Sequence, residues 1–410
     1  MDEHAAGTAA PRPLSRSEAA HTLVASFLGW ALDAFDFFVL VFVLPTIARE
    51  FHCSIADIAL TITATLAFRP LGALIFGWIA DRYGRRVPLM ADIMFYSVVE
   101  VLSGLAPSYR TFLVLRALYG AGMGGEWGVG ASLAMEAVSA RSRGFFSGLL
   151  QEGYAVGYLL AAAAYFFVFP RFGWRALFFL GGVPALLTLY IFAKVPESEA
   201  WERTRPGAGE IVGAIRANLP SFVYLVVLMT MMNFISHGTQ DLYPTFLQKQ
   251  RGLDSRTVAT IALIYNVGAL SGGLIFGYLS DRWGRRRSMA TAAILGALIV
   301  PAWIYPSTLA MLAVGAFLMQ FMVQGAWGVI PAHLAELSPP EVRGLFSGFA
   351  YQLGVLFASS AAFGEALLAE RMGYAGALAM VATIVLIVAA IVIMAGGERK
   401  GSALHAGAGG

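Results

Sequence analysis

Gly77-Trp78-Ile79-Ala80-Asp81-Arg82-Tyr83-Gly84-Arg85-Arg86 returns later in the chain as Gly277-Tyr278-Leu279-Ser280-Asp281-Arg282-Trp283-Gly284-Arg285-Arg286. Two further pairs keep the same offset of 200 positions. Trp127-Gly128-Val129 matches Trp327-Gly328-Val329, and Arg143-Gly-Phe-Phe-Ser-Gly148 matches Arg343-Gly-Leu-Phe-Ser-Gly348. Chance likeness between apolar helices does not readily place three charged or glycine-rich matches at one offset. The chain is an internal duplication.

Around these motifs the chain is apolar. Hydrophobic residues make up 58% of 410 and charged residues only 13%, about half the charged share of a soluble domain. Lipid is the expected solvent. Stretches of about 20 apolar residues can span a bilayer, and twelve occur, at 22–48, 57–80, 88–106, 110–135, 143–169, 174–194, 220–247, 256–280, 288–305, 309–335, 343–368 and 374–395. Matching motifs lie six spans apart, so both halves run the same way through the membrane. That is a parallel repeat about an axis along the membrane normal. The expected fold is an all-α polytopic membrane protein of twelve transmembrane helices in two pseudo-symmetric six-helix bundles. Its parts are a tail at 1–21, a bundle at 22–194, a central loop at 195–219, a bundle at 220–395 and a tail at 396–410.

Most of the 28 Lys and Arg residues fall in alternate loops. By the positive-inside rule both termini and the central loop are cytoplasmic, in a cell inner (plasma) membrane. The net charge of +3 follows from those loops, and no nucleic-acid partner is expected. Residues 1–20 lack the apolar core and cleavage site of a secretory signal, so the first helix is expected to stay as the insertion signal. One cysteine, Cys53, gives no disulfide and no thiol metal cluster. His237 and His333, the histidines inside the spans, are not at ligand spacing, and no metal is expected. No G-K-[S/T] phosphate motif occurs. Neither a cofactor nor an enzymatic reaction is expected, and the protein is expected to work as a monomer.

Ionisable residues inside membrane helices cost at least about 2.5–3.5 kcal/mol each near the centre, so each needs a role or a partner. In the first half they include Asp33, Asp36, Arg69, Asp92, Glu100, Arg116, Glu126 and Glu152. Asp92, Glu136 and Glu336 stand near basic loops, where pairing with arginine is the simpler reading. In the seventh span Asn233, His237, Gln240 and Asp241 fall within one quadrant of a helix. His237 and Asp241, one turn apart, can take up and release a proton as a coupled pair. Arg69 and Arg116 each offer a planar fork to a carboxylate; a permanent ion pair with a neighbouring acid is the alternative for both. Asn233, Gln240 and Gln352 could orient a substrate oxygen or simply bond between helices. Asp81 and Asp281 can pair with nearby arginines, or cap a helix N-terminus of their own half. With Arg82, Arg85, Arg282 and Arg285 they are the candidate gate. Pro45 and Pro244, each followed by Thr, are expected to kink helices 1 and 7. Gly120, Gly122, Gly124 and Gly125 are read as packing positions.

The doubled G-x-x-x-D-R-x-G-R-R loops and Arg116-Ala-Leu-Tyr-Gly120-Ala-Gly122 resemble motifs of the major facilitator superfamily. The resemblance covers essentially the whole chain and implies two bundles rocking about a central site. A narrower resemblance rests on Asn233-Phe-Ile-Ser236-His237-Gly238-Thr239-Gln240-Asp241-Leu-Tyr-Pro-Thr245. This segment looks like the helix 7 motif of the fungal Jen-type lactate and pyruvate permeases, in the sialate and lactate proton-symporter branch. Asp33-Ala-Phe-Asp36-Phe-Phe, Arg69 before Gly72-Ala-Leu-Ile-Phe-Gly77, and Gln151-Glu152-Gly153-Tyr154 also agree with that family, Glu152 standing where it has Gln. The resemblance implies proton-coupled symport of a small monocarboxylate of lactate or pyruvate type. Arg69, Asn233, His237, Gln240 and Gln352 would serve the substrate; His237, Asp241, Asp33, Asp36, Arg116 and Glu126 would serve the proton. The alternative cargo is sialic acid or another sugar or aromatic acid.

Overall fold

The computed structural model describes residues 14–402 and 404. Of the expected tails, residues 1–13, 403 and 405–410 lie outside the described residues. The first half holds α1 (Arg16–Glu50), α2 (Ile55–Tyr83), α3 (Arg86–Gly104), α4 (Tyr109–Ala137), α5 (Arg143–Gln151), α6 (Gly153–Phe167), α7 (Phe169–Leu180) and α8 (Pro184–Lys194). Two short helices follow in the connecting segment, α9 (Glu199–Thr204) and α10 (Ala208–Ala217). The second half holds α11 (Leu219–Gln240), α12 (Tyr243–Lys249), α13 (Ser255–Trp283), α14 (Arg285–Ile304), α15 (Leu309–Trp327), α16 (Ile330–Leu337), α17 (Arg343–Ala358) and α18 (Ala361–Ala395).

Nine helical stretches among the described residues are long and apolar enough to cross a membrane. The last, Pro340–Ala395, turns at Gly373, whose φ is +80°, and makes two crossings. Two more crossings complete the twelve. One is α4, diluted by Arg116 and Glu126; the other is α5 with α6, interrupted at Glu152.

The duplication is visible in backbone detail. Gly84 and Gly284 end α2 and α13 with φ of +110° and +100°, a conformation that costs glycine little. Gly173 and Gly373 repeat the device at +75° and +80°. Glu197 accepts from the amides of Arg85 (2.7 Å) and Arg86 (3.2 Å) at the start of α3. Glu398 does the same for Arg285 (3.2 Å) and Arg286 (3.0 Å) at the start of α14. A carboxylate at a helix N-terminus satisfies amides that lack intrahelical partners. Burial pushes the Glu197 carboxyl above its ordinary range, and the Ser198, Arg85 and Arg86 amides pull against that.

Within each half, small residues let helices touch. A Cβ on Gly120 or Gly124 of α4 would collide with the carbonyls of Thr65 and Arg69 in α2. Gly268 and Gly272 of α13 lie as tightly on Phe317 and Phe321 of α15. The packing role expected of the α4 glycines holds. The proline expectation divides: Pro45 sits inside an unbroken α1, whereas Pro244 opens α12 after a break at Asp241 and Leu242.

Candidate functional site

The basic loops form a latch between the halves. Asp81 of α2 accepts from the amides of Gly344 (3.0 Å) and Leu345 (2.9 Å) at the start of α17, and from the Arg85 guanidinium. Asp281 of α13 accepts from Gly144 (2.8 Å) and Phe145 (3.0 Å) at the start of α5, and from Arg285 at 2.8 Å. The expectation of a helix N-terminus within the same half is therefore corrected. Each aspartate caps a helix of the other half, because the duplicated loops lie across the pseudo-symmetry axis from each other's helix starts.

Buried ion pairs cross the same boundary. Arg343 of α17 meets Glu136 of α4 at 2.7 Å, and Arg143 of α5 meets Glu336 of α16 at 2.9 Å. Arg85 and Arg285 reach the same two glutamates at 3.4 and 2.9 Å. Arg82 and Arg282 stay out of this network; they bond the Pro206 carbonyl and the Tyr278 hydroxyl. Arg143 and Arg343 were the members the sequence reading passed over, although both open a repeated motif. A recess of about 420 Å³ at this end, beside Trp283, Arg287 and Glu398, is a surface groove apart from the residues described next.

Deeper in the first half lies a cluster of buried acids. Asp33, Asp36, Asp92 and Glu126 are at most 1% exposed, and none of their carboxylate oxygens has a hydrogen-bond partner among the described residues. Asp33 is within electrostatic range of Arg69, Glu100 and Glu126. Asp92 belongs to this cluster and not to the basic loops, as its position had suggested. Glu100, undecided from sequence, pairs with Arg116 at 2.5 Å.

That pair separates the two arginines. Arg116 also bonds Ser103 at 2.6 Å and lies over the Tyr119, Phe178 and Phe112 rings at 4.5–5.5 Å. It is enclosed, and its partner is Glu100, not Glu126 of its own helix. Arg69 stands beside the Tyr351 hydroxyl, while its Nε and one terminal nitrogen have no partner. Its backbone is pinned by Gly124. Gln352, from the other half, donates to the Gly124 carbonyl at 3.4 Å.

In α11 the His237 Nδ1 and Asp241 carboxylate are 2.9 Å apart, with each side chain about one-third exposed (35% and 36%). The break after Gln240 puts Asp241 at the helix end. The rest of the polar stripe divides. Asn233 donates to the Met229 carbonyl of its own helix at 2.8 Å. Gln240 donates to Gln320 of α15 at 2.9 Å. Glu365, 2% exposed, lies within electrostatic range of Asp241.

Tyr154, quoted in a motif but given no role from sequence, connects these parts. It is within electrostatic range of Arg69, Asp33, Asp241 and Tyr351. Its ring stacks on Trp30 at 5.5 Å and meets Phe38 edge-on at 5.1 Å. The aromatic series continues outward through Tyr158, Phe42 and Tyr165. On the other side Tyr351 stacks on Trp127 at 4.3 Å. Only tertiary packing could assemble rings from α1, α4, α6 and α17 in one place.

A guanidinium with unpartnered N–H groups can hold an anion, and unpaired acids and a partly exposed His–Asp pair can hold protons. The Major Facilitator Superfamily profile matches residues 26–271 and 226–407. A carboxylic acid transporter homologue of Saccharomyces cerevisiae is 31% identical over 84% of this chain and 60% of its own length, so the match leaves part of the yeast protein uncovered. A probable 4-methylmuconolactone transporter of Cupriavidus pinatubonensis is 30% identical over 94% of this chain and 92% of its own. The sialic acid transporter NanX of Escherichia coli is 30% identical over 81% and 83%. Among solved structures, the proton:xylose symporter XylE superimposes with a TM-score of 0.75 at 19% identity, covering 95% of this chain and 98% of that one.

Proposed function

Starting from the premise that this chain belongs to the major facilitator superfamily and is a multi-pass membrane transporter, we propose that it carries a small monocarboxylate in symport with protons by alternating access. The observation that carries this reading is Arg69. Its guanidinium has N–H groups without partners and can grip a carboxylate in two places. The similarity to the yeast carboxylic acid transporter supports a carboxylate cargo.

Protons are the coupling ion in this reading because buried carboxylates outnumber guanidiniums around Arg69 and Arg116. Burying that many uncompensated charges is too costly. A proton arriving at the His237–Asp241 pair or at Asp33 and Asp36 makes the site positive enough for the anion. Glu126 and the Arg116–Glu100 pair set the surrounding field. The loaded, neutralised carrier then rocks, and the empty protonated carrier rocks poorly. Asp81, Asp281, Arg85 and Arg285, with the cross-half pairs of Arg143 and Arg343, act as the gate at the basic end; Arg82 and Arg282 supply inside charge. That end faces the cytoplasm of an inner (plasma) membrane, with bundles at 22–194 and 220–395 in a functional monomer.

Uptake into proteoliposomes under an imposed pH gradient, over a panel of short carboxylic acids, tests the reading. Acid-driven accumulation of a monocarboxylate, lost in His237→Ala, is expected. Accumulation that ignores the gradient, or survives that substitution unchanged, overturns the proton role. The similarity to NanX favours a second reading, proton symport of sialic or another sugar acid, which the same panel separates.

A further inference from the structure

Glu152 and Gln352 stand at matching places in the duplicated chain, 200 positions apart. Gln352 is fully buried and donates from its amide nitrogen to the Gly124 carbonyl of the other half at 3.4 Å. Gly124 repeats as Gln324, so the duplication assigns Glu152 a partner, the Gln324 carbonyl. The structure brings the two to one point. Glu152 lies at the break between α5 and α6, against Gly273 of α13 in the other half. A Cβ on Gly273 would collide with the Glu152 Oε1 and come within 3.5 Å of the Gln324 carbonyl oxygen. The carboxyl fills the space that the glycine leaves open, where the first half has Ala73.

An acid in place of an amide changes the chemistry. An amide always has an N–H to give, whereas a carboxylate only accepts, and so does a carbonyl. Two buried acceptors side by side are unfavourable, and a buried carboxylate without a partner is costly. Glu152 is 7% exposed, and its Oε1 has no partner among the described residues. The Gln324 carbonyl accepts the Gly328 amide at 2.8 Å and keeps a second lone pair. The interior titratable groups of the helices packed against α5 are Asp33 and Asp36 on α1, Arg116, Glu126 and Glu136 on α4, Tyr154 on α6, Tyr265 and Asp281 on α13, and His333 and Glu336 on α16. None of them is a charge partner of Glu152.

We propose that Glu152 is a proton-binding site on the boundary between the halves. With its proton it donates to the Gln324 carbonyl, matching the bond that Gln352 makes to Gly124, and this bond breaks when the basic end opens. Closure requires the neutral acid. Opening carries Gly273 and Gln324 away and lets water reach the carboxylate, so rising pH favours the open form. An empty carrier that still holds this proton stays closed, which gives a physical cause for the poor rocking of that state. The inference goes beyond the carboxylate reading and does not depend on the cargo.

The test uses the purified full-length protein in detergent, without cargo, with spin labels on the two halves at the basic end in a Cys53→Ser background. The open-to-closed ratio is expected to rise about fivefold from acid to alkaline pH, the scale of one hydrogen bond. Glu152→Gln carries its donor at every pH, as Gln352 does, and should stay closed and lose that rise. Glu152→Leu has no donor and should lean open even in acid. Gly273→Ala, which displaces the carboxyl, should behave like Glu152→Leu. A residue that only packs would give no pH dependence to lose. A ratio in the unaltered protein that ignores pH overturns the proposal. So does a rise that survives in Glu152→Gln or in Gly273→Ala. Each of these outcomes leaves the carboxylate reading to its own test.

Discussion

Asp81 accepts the Gly344 amide at 3.0 Å from across the boundary between the two halves. An acid near the end of one bundle's second helix thus closes the N-terminus of a helix in the other bundle. Asp281 and Gly144 repeat the contact at 2.8 Å. Caps of this kind contribute about 0.5–2 kcal/mol each, and in the proposed gate both break when the basic end opens.

Removing one cap should shift the conformational balance. In Asp81→Ala the open-to-closed ratio at the basic end should rise by a factor of about 2 to 30, which is 0.5–2 kcal/mol. Spin labels placed on the two halves in a Cys53→Ser background would read the distance distribution directly. An unchanged distribution would show that the cap does not hold the gate.

The two membrane arginines should fail differently. Arg69→Lys keeps the charge but loses the fork, so KM for the carboxylate should rise roughly tenfold while the melting temperature stays near its starting value. Arg116→Ala leaves Glu100 buried and unpaired, which costs about 3–5 kcal/mol, and should lower the melting temperature and the yield of folded protein. Thermal melts in detergent alongside uptake kinetics separate the two. The reverse pattern would place the substrate at Arg116.

Glu136 holds both Arg85 and Arg343. Glu136→Ala should cost about 3–5 kcal/mol, because the buried Arg343 loses its counter-charge and Arg85 keeps only Asp81. Adding Arg343→Met should recover part of that loss by removing one stranded charge. A double substitution as unstable as the sum of the singles would show that the residues act independently.

Glycine packing gives a contrast in sign. Gly124→Ala drives a Cβ into the Arg69 carbonyl; overpacking of this kind costs about 1–3 kcal/mol, and it should also weaken substrate affinity by displacing Arg69. Gly213→Ala, in α10 with nothing within 4 Å of the new Cβ, should be neutral or stabilising by up to about 1 kcal/mol. Melting temperatures of the two variants check both signs.

The sequence by itself determined the duplication, the twelve spans and the titratable residues of the interior. Those properties are local: twenty apolar residues, a helical quadrant, or a motif repeated at a fixed offset can be read without knowing what touches what. The His237–Asp241 pair was legible for the same reason, since one helical turn separates them. Pairing across the molecule was not legible. Arg116 lies ten positions from Glu126 on one helix, yet it bonds Glu100 of α3 because helix crossing, not chain order, decides which buried charges meet. Asp81 was expected to serve its own half, and the packing of the two bundles turned it to the other. The same packing brought Tyr154 and Tyr351, from opposite halves, within range of Arg69, because contacts between bundles join side chains that no stretch of sequence holds together.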